Sequence, residues 1–251
     1  MAALDTTDDA VLGGRLKLLQ PAKGHRAGHD AILLAAAAPA SAHAIDLGAG
    51  VGTAGLALLA RKAAQRVILV EIDAELAALA CENAKRNGFK DRTEVAAADA
   101  LKLGRKGGAA HPAMASADLV LTKQPFNDPA RRNASPELAR RRPHNANEAD
   151  LDQWVSAAER LLAPNGRLVL IHRPEAIDAI LATLKGRFGA AELIPIFPRD
   201  DAPAIRLIVR AVKGRRTPPL LLPGLVLNDA NNQPTRAADA ILREAGPLAP
   251  A

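Results

Sequence analysis

With 251 residues, 49% of them apolar, the chain can bury a sizeable core and has room for one large α/β domain or two small ones. Its formal net charge of +6 favours a polyanionic partner, RNA first among them. A single cysteine (Cys81) excludes an internal disulfide, and an acidic Met1–Asp9 with no apolar run long enough for a bilayer excludes an export leader or a membrane span, so a soluble cytoplasmic protein is expected.

Residues 1 to 12 read as a loose arm, and Leu16 to Leu19 as a short strand ended by Gln20-Pro21. Lys23 to Asp30 is a polar turn, and Asp30 is placed to cap a helix running to about Ala38. Pro39 stops that helix, having no N–H to donate and a ring that clashes with the preceding turn. His43–Leu47, Val67–Glu71, Thr93–Ala97, Asp118–Thr122 and Arg167–His172 are predicted strands, the fifth entered through the turn Asn165-Gly166. Helices are predicted from Gly52, after a cap at Asp73, over Leu151–Leu162 and over Ala176–Leu184. The second of these carries Leu76, Leu79 and Ala80 inward and stops at Gly88, and Cys81 on it is expected to be a buried small hydrophobe. Lys102 to His111 is a basic, glycine-rich loop. Phe126 to Asn147 lacks periodicity and holds Arg131, Arg132, Arg140, Arg141 and Arg142, a set able to grip RNA phosphates. Ala191–Ile196 and Ala204–Val212 are suited to pair antiparallel, and a last helix is expected over Ala237–Glu244. Strand and helix alternate from 43 to 185, which predicts a mainly parallel sheet covered on both faces. The chain then reads as one domain, 1–251, with a short N-terminal extension to about residue 30.

Residues 44 to 55, Ala-Ile-Asp-Leu-Gly-Ala-Gly-Val-Gly-Thr-Ala-Gly, read as strand, tight turn and helix start. Glycine permits φ > 0 and lets a ligand approach the backbone, and the helix N-terminus offers free N–H groups. Gly50 to Gly55 matches the dinucleotide fingerprint, with Glu71 where a ribose-binding acid belongs. In a second reading Asp46 to Gly50 is the working motif. Asp46, Glu71 and Asp99 fall at or near three successive strand ends, where open parallel sheets bind ligands. Glu71 would accept from ribose hydroxyls and Asp99 from an adenine amino group; otherwise Asp99 is a helix cap. A plain dinucleotide enzyme has no need of Asp46 and Asp99. No zinc spacing and no G-x-S-x-G nucleophile motif occurs, so neither a zinc site nor that hydrolase chemistry is supported.

Asp46-Leu47-Gly48-Ala49-Gly50 resembles the first motif of class I S-adenosylmethionine-dependent methyltransferases. Lys123-Gln124-Pro125-Phe126, after the fourth strand, resembles the Asn-Pro-Pro-Phe/Tyr loop of amino-methyltransferases. Gln20-Pro21, Arg26 to Ala31, Phe126 to Pro129, Arg132 to Pro136 and Leu222 to Leu227 extend the likeness over nearly the whole chain. The narrower match is to bacterial enzymes that methylate adenine N6 beside the anticodon of a valine tRNA. This resemblance implies a Rossmann-like class I methyltransferase fold: a mainly parallel seven-stranded sheet with an antiparallel terminal strand and helices on both faces. It implies S-adenosylmethionine as cofactor and RNA, specifically tRNA, as partner, with no metal and no membrane. Cofactor contacts are implied at Arg26, Gly28, Asp30, Asp46, Gly48, Ala49, Gly50, Glu71, Ile72, Asp99 and Ala100, and the transfer chemistry at Lys123, Gln124, Pro125 and Phe126.

The family's Asn is Lys123 here and its first Pro is Gln124. In the family, the Asn side-chain oxygen and a backbone carbonyl accept hydrogen bonds from the target amino group, aiming its lone pair and drawing off developing charge. A charged lysine only donates and opposes a cationic transition state; only desolvation would neutralise it. Three readings follow: a methyltransferase relying on the Gln124 carbonyl and Phe126 stacking on a flipped base, a weak enzyme or RNA-binding homologue, and a methyltransferase for a small-molecule or protein acceptor.

Overall fold

The computed structural model describes residues 5–23, 28–105, 112–124 and 144–248, the side chains of 144–149 excepted. In chain order its elements are β1 (Thr6–Val11), β2 (Leu16–Pro21), α1 (His29–Ala37), β3 (Ser41–Leu47), α2 (Thr53–Ala60), β4 (Ala64–Glu71), α3 (Ala74–Arg86), β5 (Thr93–Ala97) and β6 (Ala117–Thr122). After residue 143 come α4 (His144–Leu161), β7 (Leu162–His172), α5 (Ile177–Leu184), β8 (Phe188–Phe197), β9 (Arg206–Lys213), β10 (Leu220–Leu221), β11 (Leu225–Val226) and α6 (Arg236–Leu242).

Nine strands form one sheet in the order β10-β8-β9-β7-β6-β3-β4-β5, with β11 also on β8. β9 alone runs against its neighbours, and it is inserted between β7 and β8 rather than set at an edge. β10 and β11 are two-residue additions along β8, so the seven longer strands carry the expected class I pattern. From β3 the chain moves out through β4 and β5, then crosses back to β6 on the other side. That reversal makes a crevice beyond the carboxyl ends of β3 and β6.

Alternation within the strands sorts the core into two layers. Val169 and Ile171 of β7 join the helices α1 and α2 in one layer, while Leu168 and Leu170 join α4 and α5 in the other. Asn165 turns with φ +62, and β7 bulges there, so that Ala117 and Leu119 of β6 face Leu162 and Arg167. The Asn165-Gly166 turn thus lies inside β7 rather than before it.

Several sequence expectations are corrected. Residues 6–11 are not a loose arm but the outer strand of a hairpin on β2. Thr6-Thr7-Asp8-Asp9 carries no apolar alternation, so only its partner reveals it. That hairpin is held by α3: Leu19 N–H donates to Asn83 Oδ1 (2.7 Å) and Asn83 Nδ2 donates to Leu19 O (3.0 Å). One turn on, Lys17 N–H donates to Asn87 Oδ1 (2.9 Å) and Asn87 Nδ2 to Lys17 O (2.7 Å). Two amides four residues apart on a helix thereby serve as a ladder partner for alternate residues of a strand edge.

Gly28, not Asp30, is the N-cap of α1. Asp73 does cap α3, accepting from the N–H groups of Glu75 and Leu76. The buried stripe of α3 is Ala77, Ala80, Asn83 and Ala84, so Leu76 and Leu79 are only half-buried. Cys81 is exposed, because it falls outside that stripe. α4 begins at His144, inside the stretch read as aperiodic.

Candidate functional site

Ile45 and Leu47 of β3 point into the α4 layer, so Asp46 between them points toward α2. Its Oδ2 accepts the Gly55 N–H at 2.8 Å, and the residue is 2% exposed. Gly55 makes that approach possible: a Cβ there would lie 2.3 Å from Leu69 Cδ2 and 2.9 Å from Val67 Cγ1. α2 therefore rests directly on the sheet with its N-terminus over Asp46. Burial pushes the Asp46 carboxyl up to about 6; the Gly55 N–H and Lys123 oppose that rise, and Glu71 adds to it.

The turn after β3 passes through Gly48, Gly50 and Gly52 at φ +71, +56 and +87. A Cβ on Gly48 would lie 2.9 Å from the Trp154 ring, whereas one on Gly50 would meet nothing within 4 Å. Gly48 is thus a seat for the α4 indole, and Gly50 leaves room for a ligand. Glu71, at the end of β4, braces the turn: its Oε2 accepts the Gly50 N–H (2.7 Å) and its Oε1 the Asp73 N–H (3.0 Å). Each oxygen keeps further acceptor capacity. Asp99 caps a short 3-10 turn through the Leu101 N–H (3.0 Å) and pairs with Lys102 Nζ (3.4 Å). The helix-cap reading of Asp99 therefore holds, and the residue also lines the cleft described next.

A cleft of about 560 Å³ runs beyond the carboxyl ends of β3, β4 and β5, with Lys123 after β6 also on its wall. It brings together eight of the cofactor residues implied by resemblance: Asp46, Gly48, Ala49, Gly50, Glu71, Ile72, Asp99 and Ala100. Ile72 is 68% exposed, a large apolar side chain offered to the cleft mouth. Gly28 and Asp30 are not on its wall. Gly28 is exposed at the start of α1, and Asp30 pairs with Arg206 Nε at 2.8 Å. Arg26, Pro125 and Phe126, with the arginines between 131 and 142, lie outside the described residues. Thr53, Leu76, Leu101, Asp150 and Trp154 also line the cleft, and the sequence reading did not single them out as site residues. Trp154 carried a signal as the sole tryptophan of an aromatic-poor chain.

Lys123 follows β6 directly and lines the same cleft, half-buried. Burial lowers its amine below the ordinary lysine value; Asp30 and Asp46 pull it back up, and Arg206 lowers it further. Gln124 is buried, and its Nε2 has no hydrogen-bond partner among the described residues. At the end of β7, burial also lowers His172, with the Arg173 carbonyl opposing and the charges of Arg173 and Arg206 contributing.

The wall suits a nucleoside-bearing ligand. Thr53 Oγ1, on the first residue of α2, is buried with no hydrogen-bond partner among the described residues, a hydroxyl left for a ligand to satisfy. Glu71 and Asp99 offer acceptors, and Ile72, Leu76 and Trp154 offer apolar surface.

Comparison with known proteins agrees. A profile of the family described as a methyltransferase domain matches residues 40–187. Over 189 residues the chain is 26% identical to a tRNA1(Val) (adenine(37)-N6)-methyltransferase of Bacteroides fragilis, covering 73% of this chain and 76% of that one. An enzyme of the same name from Aeromonas hydrophila is 32% identical over 166 residues, 62% of this chain and 63% of that one. The solved structure of a predicted O-methyltransferase from Agrobacterium tumefaciens aligns with a TM-score of 0.68 at 26% identity, over 84% of this chain and 94% of that one. With these matches the dinucleotide-enzyme reading falls away: Gly55 serves helix packing, and Asp46 and Asp99 both face the ligand cleft. The profile spans more than half the chain, from β3 through α5, and the chain therefore belongs to the methyltransferase-domain family, as an S-adenosylmethionine-dependent methyltransferase of class I fold.

Proposed function

We propose that the protein transfers a methyl group to the exocyclic amino group of an adenine in tRNA. The observation that carries this reading is a shared wall: Lys123, the first residue after β6, lines the same cleft as Asp46, Glu71, Asp99 and Trp154. The stretch that resembles an amino-methyltransferase acceptor loop thus starts on the nucleoside cleft. The names of the Bacteroides and Aeromonas relatives support tRNA as the substrate class.

S-adenosylmethionine, when bound, supplies an electrophilic methyl group on sulfur. In this reading Glu71 accepts from ribose hydroxyls, Asp99 from the adenine amino group, and Asp46 sits near the amino-acid end. Trp154 over Gly48 excludes water from the cleft wall. The Gln124 carbonyl accepts a hydrogen bond from the target amine, orienting its lone pair. Losing the second acceptor, the family's Asn oxygen, costs on the order of a hundredfold in rate unless another group replaces it. We read residues 1–251 as one domain, since the hairpin, α1 and α6 share one core with the sheet. A cytoplasmic setting goes with this function; among the described residues no helix is long and apolar enough to cross a membrane.

A second reading draws on Lys123 beside Arg206. Two cationic side chains near the acceptor end suit an anionic small molecule or protein acceptor, and the Agrobacterium structure is named an O-methyltransferase. The deciding experiment is transfer of labelled methyl from S-adenosylmethionine to unmodified bulk tRNA, with the unaltered protein and with Lys123→Asn/Gln124→Pro. We expect label in tRNA from both, the second faster. Label from the restored version alone would mean an RNA-binding scaffold silenced at its acceptor loop. Label from neither would overturn the tRNA reading and direct the search to anionic acceptors.

A further inference from the structure

Lys123, the first residue after β6, lines the cleft half-buried, and charged groups from several elements act on it. The charges of Asp30 on α1, Asp46 on β3 and Arg206 at the start of β9 act on its amine. Glu71 of β4 acts on Asp46, and Asp150 lines the cleft from α4. His172 of β7 lies in the field of Arg206. The two carboxylates are shared: Asp30 also takes the Arg206 guanidinium at 2.8 Å, and Asp46 also takes the Gly55 N–H at 2.8 Å. A lysine on the cleft wall, partly withdrawn from water and sharing its counter-charges, has access to its amine form. The amine form carries a lone pair. It can therefore accept a hydrogen bond from the target, which the ammonium cannot.

We propose that Lys123 is the catalytic base of this enzyme: its amine takes the proton that the acceptor amino group sheds on methylation, and Asp46 and Asp30 then hold the ammonium. The inference rests on the reading of the cleft as a site of transfer to nitrogen. In the balanced step the acceptor nitrogen bonds to the methyl carbon, the carbon–sulfur bond breaks and sulfur keeps its electron pair. An N–H proton then passes from the acceptor nitrogen to Lys123 Nζ, and from there to water. The departure from the family's Asn thus becomes a substitution of one acceptor by another, with a pH dependence the Asn lacks. The rate is expected to rise with pH as Lys123 loses its proton.

Two readouts test this. The first needs no turnover: competitive labelling of amines in the full-length protein across pH, read by peptide mass spectrometry. Lys123 is expected to show a midpoint below those of the exposed Lys62 and Lys90. The second is single-turnover transfer to tRNA across the same range. The unaltered protein is expected to follow the Lys123 labelling midpoint. Lys123→Arg, which keeps the charge but cannot release a proton, is expected to lose about a hundredfold or more in rate, beyond any change in S-adenosylhomocysteine affinity. Lys123→Asn is expected to transfer with a flat pH profile. A labelling midpoint equal to the exposed lysines, or a Lys123→Arg variant that keeps its rate, overturns the proposal. Absence of transfer to tRNA by every version overturns the substrate reading instead, and the labelling midpoint still decides whether Lys123 is available as a base for another acceptor.

Discussion

Asp46 is a carboxyl group that the fold holds out of water, and its environment makes a stability prediction. Its folded-state pKa of about 6 stands above the ordinary 3.8. Between those values the folded protein keeps a proton that the unfolded chain has released, so stability falls as pH rises through that window. The loss amounts to about 3 kcal/mol, and is complete above pH ~6. Asp46→Asn keeps an oxygen for the Gly55 N–H and removes the charge. It is expected to melt higher than the natural protein at pH 8, with the difference closing toward pH 4, in denaturation followed across pH. A variant as pH-sensitive as its parent would refute the burial argument. The same variant is expected to bind S-adenosylhomocysteine more weakly, the trade of stability for function common at binding sites.

At the scale of elements, α3 joins the N-terminal hairpin to the glycine turn through one side chain. Fully buried Asn83 holds both backbone groups of Leu19 and donates to Val51 O at 3.0 Å, in the turn that follows β3. Asn83→Ala leaves three backbone groups without that partner, two on half-buried Leu19 and the buried Val51 carbonyl, and is expected to cost about 3 kcal/mol in urea unfolding. Asn87→Ala, nearer solvent, is expected to cost about 1 kcal/mol. If Asn83 positions the turn, its loss also weakens S-adenosylhomocysteine binding, while Asn87→Ala does not. The contact of α2 with the sheet gives a parallel case. Gly55→Ala drives a methyl group into Leu69 and is expected to cost ~1–3 kcal/mol through overpacking.

For the whole molecule, the net charge of +6 bears on the proposed tRNA partner. Binding that rests on phosphate contacts releases counterions, so tRNA affinity is expected to fall about tenfold or more between about 50 and 200 mM salt. Filter binding at several salt concentrations measures this slope. Affinity independent of salt would speak against a phosphate-gripping surface and for a small acceptor.

The sequence by itself determined the class of fold and marked the strand ends where the cleft lies. Apolar residues leading into Asp46 and a continuous apolar run ending in Glu71, with glycines after the first, are local signals, and both segments are strands in the structure. The departure at Lys123-Gln124 was equally plain, because residue identity needs no coordinates. Other features depended on partners distant in the chain. Thr6–Val11 is polar and became legible as a strand only beside β2. Asp30 reads as a cap from its neighbours alone, yet its partner is Arg206, 176 residues away. Trp154 reads as one apolar residue of a helix until packing sets it over Gly48. Most of all, the chemistry of Lys123 was undetermined: a charge in water and a desolvated amine are the same letter, and only tertiary burial, with Arg206 adding to it and Asp30 and Asp46 opposing, moves it from one toward the other.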